Sequence, residues 1–233
     1  MHAYSPSLRL QTATQVVLVG VFWVVATLLM CSETMAMPLE VKVSDRNGAP
    51  VRDVVVTVSD GRPNTVSAQA TATRMVMDQI AMRFVPEVLV VPLGMAVSFP
   101  NSDTISHQVY SFSRAKPFQL PLYKGASHPP VTFDKPGLVV LGCNIHDGMV
   151  GYIYVTDARW YGQTNAAGKV ILPEVAAGKV SVTIWSSFIA DPATALARSI
   201  ELSGNDKQTL EFKLMKPLRS SPEPRPRRAD WDY

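Results

Sequence analysis

Residues 138–155 read LVVLGCNIHDGMVGYIYV, and this stretch decides the fold class. Residues 138–141 form a short, strongly apolar run of strand length, rich in β-branched side chains. Residues 151–155 form a second such run after a glycine. Residues 143–149 between them are too few and too polar for a helix, so two strands joined by a tight loop are expected. That loop carries Cys143, His146 and Met149, each three positions from the last. Upstream, His107 follows FPNSDTIS and precedes QVYSF, at the mouth of another short strand.

A soft thiolate, two imidazoles and a weak thioether are the donors suited to an ion that cycles between Cu(I) and Cu(II). One loop can bring Cys143, His146 and Met149 to a single ion, and the second imidazole must come from elsewhere, as His107 does. Taken singly, His107 is more readily a structural histidine and Met149 a core side chain. Cysteine usage points the same way. Of two cysteines, Cys31 lies in the N-terminal apolar segment, which leaves Cys143 alone in the mature chain. A lone thiol in an oxidising compartment has no internal disulfide partner, and metal ligation is a good reason to keep one.

Residues 75–155 resemble the cupredoxin (blue-copper) family. The Cys-x-x-His-x-x-Met spacing is similar to that of amicyanin, plastocyanin-like loops being longer. Phe84-x-Pro86 resembles a family strand that opens on an aromatic residue and proline. Val88 to Val91, Gly94 and Val97-x-Phe99-x-Asn101 resemble the run that leads to the first histidine. The resemblance implies a Greek-key β-sandwich holding one type 1 copper, with His107, Cys143 and His146 as equatorial ligands and Met149 as the axial one. It also implies electron transfer between soluble or membrane-bound redox proteins, with the exposed edge of His146 as the electron port. The likeness to amicyanin points toward exported proteins of amine-oxidising, methylamine-utilisation pathways. Two features depart from the pattern. Gln108 stands where an asparagine commonly ties the ligand loops together, and residues 111–130 are longer and richer in proline.

Around this centre the chain is a succession of short apolar runs and turns, as expected of an all-β protein. Residues 39–58 read as a strand, an Asn47-Gly48 turn and a strand. Residues 170–172 and 180–185 read as strands joined at Ala176-Ala177-Gly178, and residues 199–202 and 209–214 as a last hairpin around Gly204-Asn205. One helical turn is expected within residues 188–196. The segments VKVSDRNGAPVRDVVVTV and TNAAGKVILPEVAAGKVSVTIW resemble the opening and later hairpins of carboxypeptidase regulatory-like β-sandwiches. The expected organisation is a signal peptide over 1–36, the first part of a small flanking sandwich over 37–65 and the cupredoxin domain over 74–157. The second part of that sandwich follows over 160–215, and a disordered, basic, proline-rich tail over 216–233.

Composition bounds the function classes. Hydrophobic residues make up 47% of the 233, which suits a globular chain. The formal net charge is +3, and the basic excess is concentrated after residue 212. No basic stripe interleaved with aromatics is present, so nucleic-acid binding is not expected. Residues 16–30 (VVLVGVFWVVATLLM) follow Arg9 and precede Thr34-Met35-Ala36, the pattern of a cleaved export signal. A periplasmic or secreted location follows, with membrane attachment only if that segment is retained. Multicopper enzymes need further histidine clusters. With His107 and His146 used, His128 is the one histidine left in the mature chain, so an enzyme is not expected. His128 reads as a loop residue and Asp147 as a solvated charge beside the site. The competing functions are a periplasmic copper-binding or chaperone protein and a non-redox β-sandwich binding module.

Overall fold

A computed structural model describes residues 36–62, 75–125, 128–189, 195–204, 206–216 and 218. The N-terminal apolar run with Cys31, most of the 188–196 segment and all of the basic tail but residues 216 and 218 lie outside the described residues. Among those described, every regular element is a strand. The chain opens with β1 (Ala36–Asp45) and β2 (Val55–Ser59). Its central part holds β3 (Met75–Val76), β4 (Asp78–Ile80), β5 (Arg83–Val85), β6 (Val88–Pro92) and β7 (Ala96–Ser98). Then come β8 (Tyr110–Ser111), β9 (Phe118–Gln119), β10 (Val131–Thr132), β11 (Gly137–Gly142) and β12 (Val150–Thr156). It closes with β13 (Trp160–Gln163), β14 (Lys169–Ala176), β15 (Gly178–Trp185), β16 (Leu196–Leu202) and β17 (Gln208–Leu214).

The central strands build a β-sandwich, as expected. A five-stranded sheet runs in the order β6-β12-β11-β8-β9 and a three-stranded sheet in the order β10-β7-β3. Period-two alternation decides what each strand buries. On β11, Val139 and Leu141 are fully buried while Val140 is exposed, and on β12 Ile153 and Val155 are buried. These side chains join Met77, Phe84, Val97, Phe99, Val109 and Phe133 in one apolar cluster. Cys143 continues the inward series of β11, so the strand that fills the core also aims the thiol into it.

The two ends of the described chain meet in a second cluster. β1 lies between β14, antiparallel, and β17, parallel, with Leu39 opposite Gln208 and Asp45 opposite Leu214. The other sheet runs β13-β2-β15-β16. Leu39, Val41 and Val43 of β1, Val56 and Val58 of β2, Val182 and Ile184 of β15 and Phe212 of β17 share one core. Trp185 joins this part to the central one. It is 2% exposed, packs with Val55, Val88 and Val90, and sits 5.6 and 5.7 Å from the rings of Tyr152 and Tyr154 on the outward face of β12.

Three expected hairpins are not formed. β1 and β2, β14 and β15, and β16 and β17 each lie in different sheets. Each strand of such a pair buries one face in the shared core, so the chain crosses from sheet to sheet instead of folding back on its own edge. The Asn47-Gly48 turn does form. Asp45 Oδ1 accepts from the Asn47 and Ala49 N–H groups at 2.8 Å, and Gly48 has φ 87°. The crossing beyond it is fastened by buried Thr164, whose hydroxyl donates to the Val51 carbonyl at 2.7 Å and accepts from the Val54 N–H at 3.0 Å.

Candidate metal centre

His107 sits where the backbone has left regular sheet. Its N–H and C=O pair with Tyr123 at 3.0 Å each, so β8 begins only at Tyr110, later than the strand expected from residue 108. The loop before it is wound around Asn101, which is 3% exposed. The Asn101 amide donates to the carbonyls of Ile105 at 3.0 Å and Tyr123 at 2.8 Å, and its Oδ1 accepts the Asp103 N–H at 3.0 Å. From the other side, the loop after β11 delivers Cys143 and His146, and the Met149 N–H closes it by donating to the His146 carbonyl at 2.9 Å. Across the sheet, Tyr110 lies opposite Gly142, where a Cβ would stand 2.7 Å from the tyrosine ring.

These loops bring His107, Cys143 and His146 together as a possible metal-binding group. His107 Nδ1 and His146 Nδ1 are 3.1 Å apart, and Cys143 Sγ lies 3.8 Å from the first and 3.6 Å from the second. The point equidistant from the corners of that triangle lies about 2.0 Å from each atom, within the range of about 2.0–2.3 Å at which imidazole nitrogen and thiolate sulfur hold a divalent ion. His107 is fully buried and Cys143 is 4% exposed, while His146 is half-buried.

Hydrogen bonding settles which nitrogen of His107 faces the cluster. Nε2 lies 2.9 Å from Asp103 Oδ2. A carboxylate only accepts, so Nε2 carries the hydrogen and a neutral ring turns its Nδ1 lone pair toward Cys143 and His146. Burial raises the Asp103 carboxyl, but hydrogen bonds from His107, the Met82 N–H and the Thr104 N–H outweigh it and hold it below its ordinary value. Burial likewise lowers the His107 imidazole, yet its contacts with Cys143 and Asp103 bring it above its ordinary value. Burial pushes the Cys143 thiol up. Interactions with His107, the Gln108 and Ile145 backbone and His146 prevail and bring it down to about 6. Because the thiolate is the metal-binding form, this environment prepares the sulfur for an ion.

Met149 is 2% exposed and belongs to the same apolar cluster as Cys143. Both residues line a cavity of about 140 Å³ together with Tyr110, Asn144 and Asp147. His128 stands apart from the group, edge-on to Tyr123 at 4.9 Å. At Gln108, the departure noted in the sequence, the backbone N–H reaches the Cys143 sulfur. The sequence motifs include Asn101 but not Asp103. A carboxylate four residues before a candidate ligand histidine was the available signal.

No protein-family model matches the chain, and no curated protein matches it. Among solved structures it is similar to a purple cupredoxin from Nitrosopumilus maritimus, at 20% identity and a TM-score of 0.32 over 35% of this chain and 99% of that one. It is also similar to a reduced Cu(I) form of an amicyanin variant, at 23% identity and a TM-score of 0.33 over 43% of this chain and 98% of that one. An oxidised amicyanin variant gives 21% identity and a TM-score of 0.33 over the same shares. The donor set itself is defined by the geometry of His107, Cys143 and His146.

Proposed function

We propose that this chain is an exported copper protein that carries single electrons between redox partners. One ion would be held by His107, Cys143 and His146, with Met149 as a weak axial donor. The observation that carries the reading is the triangle of two Nδ1 atoms and one Sγ, whose centre suits a single ion. Copper, when bound, supplies a one-electron couple, and two imidazoles, a thiolate and a thioether are the donors that stabilise both its states. The chain contributes rigidity. His107 is pinned through its backbone to Tyr123 and through its ring to Asp103. Cys143 is fixed by β11 and by N–H groups of Gln108 and Ile145. Ligands held this firmly change little between redox states, which lowers the reorganisation that each electron requires. His146 is the half-buried member of the three, so its ring is the natural port for exchange with a partner protein.

The test is the visible and EPR spectrum of the full chain loaded with Cu(II). A strong absorption at about 600 nm, absent from Cys143→Ala, is expected. A colourless protein, or a copper signal that survives the substitution, overturns the reading.

A further inference from the structure

Asp103 does more than orient a ring. Its side chain is 7% exposed and faces a fully buried His107. Oδ2 accepts from His107 Nε2 at 2.9 Å and from the Met82 N–H at 2.7 Å, and Oδ1 accepts from the Thr104 N–H at 2.7 Å. Acceptance on both oxygens is the pattern of an ionised carboxylate. The Met82 contact is itself unusual. Ile80 pairs with Arg83, so Ala81 and Met82 form a two-residue hairpin loop, and their φ angles are 50° and 57°. Such loops favour Asn-Gly because side-chain-bearing residues are strained at positive φ. Here a strained turn is retained, and it delivers an N–H to the carboxylate behind the metal centre. Strain of this kind is characteristic of functional sites.

Resting on the copper reading, we propose that Asp103 is a positioning residue that selects the charge of the bound ion. With the Cys143 thiolate it gives the centre two negative charges, while His107, His146 and Met149 stay neutral. A divalent ion then leaves the buried site neutral and a monovalent ion leaves it with one uncompensated negative charge. Burial makes that difference count, because charge in a low-dielectric interior is poorly screened. Asp103 therefore favours Cu(II), and any divalent ion of similar size, over Cu(I).

The experiment compares the full chain with Asp103→Asn and Asp103→Glu. Affinities for Cu(II), Cu(I) and the redox-silent divalent probe Zn(II) are measured by chelator competition, and the reduction potential by titration. Asparagine keeps an acceptor near Nε2 and removes the charge. It is expected to weaken Cu(II) and Zn(II) about tenfold and to leave Cu(I) within about threefold. A tenfold change in the Cu(II)/Cu(I) ratio raises a one-electron potential by about 59 mV. Glutamate keeps the charge and is expected to leave the ratio near that of wild type. Equal losses for Cu(I) and Cu(II) in the asparagine variant overturn the proposal. So does a glutamate variant whose ratio moves as far as asparagine is expected to move it, a result that decides the matter even if the asparagine variant does not fold. A wild-type chain that takes up no copper sinks the copper reading itself, whereas copper uptake with an unchanged ratio in Asp103→Asn removes only this inference.

Discussion

Replacing Gly151 by alanine tests how tightly the core behind the metal centre is packed. Gly151 lies on β12 opposite Leu141, and a Cβ there would stand 2.8 Å from Phe84 Cβ and 2.9 Å from both Cγ and Cδ2. Ordinary carbon contacts begin at about 3.5 Å, so the methyl group intrudes by roughly 0.6 Å on three atoms at once. Phe84 is 2% exposed and sits within the central cluster, so its ring has nowhere to withdraw. Overpacking of this kind costs about 1–3 kcal/mol. Loss of glycine freedom in the unfolded chain returns about 0.4–1 kcal/mol. The net expectation is a destabilisation of about 1–2 kcal/mol, or a fall of roughly 3–6 °C in Tm for a chain of this size. Urea unfolding of the metal-free protein measures it, with an unchanged slope showing that the denatured state is unaffected. Phe84→Ala in the Gly151→Ala background removes Cγ and Cδ2, two of the three offending atoms, and should cost less there than in wild type. A Gly151→Ala protein as stable as wild type, or a Phe84→Ala cost that is the same in both backgrounds, refutes the packing argument. Gly142→Ala provides the contrast. Its new methyl meets the outer end of the Tyr110 ring, which is only half-buried, so a smaller loss is expected.

Two further outcomes follow from the packing and the electrostatics. Trp185→Ala should destabilise the chain by about 3–5 kcal/mol in denaturant unfolding, because the indole is 2% exposed between the central and flanking sheets; a loss below about 1 kcal/mol would contradict that packing. In the metal-free protein, the ultraviolet absorbance of the Cys143 thiolate should appear with a midpoint near pH 6, as the thiol is brought down to about 6 from an ordinary 9.0. The stability that this thiolate contributes is fully present above pH 9.0, the ordinary thiol value, and is lost as pH falls through about 6. His107 contributes with the opposite sign, fully below its ordinary 6.5 and lost as pH rises through its raised value. The two therefore offset one another in unfolding free energy, and absorbance is the discriminating measurement. A thiolate band that emerges only near the ordinary thiol value would show that the hydrogen bonds to Cys143 do not hold in solution.

The group of His107, Cys143 and His146 was legible because its grammar is local. Cys143 and His146 share one loop, and alternation along residues 139, 141 and 143 puts the thiol on the same inward face as two core side chains. His107 lies 36 residues from Cys143 in the chain. It could be assigned to the cluster because few histidines compete for the role and because Val97-x-Phe99-x-Asn101 precedes it. The support for His107 was not legible. Asn101 and Asp103 act through hydrogen bonds to Tyr123, Ile105 and Met82, and no spacing rule encodes such partners. Polar residues in a turn usually satisfy their own backbone. Here the same residue types satisfy a neighbouring loop and a ligand ring.

The flanks show a different limit. Their strands lie close to where the apolar runs place them, since β2 and β15 are runs of β-branched residues bounded by turn signals. Their pairing differs from expectation because adjacency in sequence favours hairpins. Strand pairing is chosen by which edges remain free once both faces of a core are filled. β1 buries Leu39, Val41 and Val43, and β2 buries Val56 and Val58, in the same cluster. Two strands that contribute to one core from opposite sides cannot also be neighbours in one sheet. β1 takes β17 and β14 as its neighbours, and β2 takes β13 and β15. An Asn-Gly turn fixes a local reversal, whereas the edge that the departing strand joins is decided by apolar surface elsewhere in the chain. For that reason the inward alternation of each strand is the dependable signal in such a sequence, and the turn between strands is not.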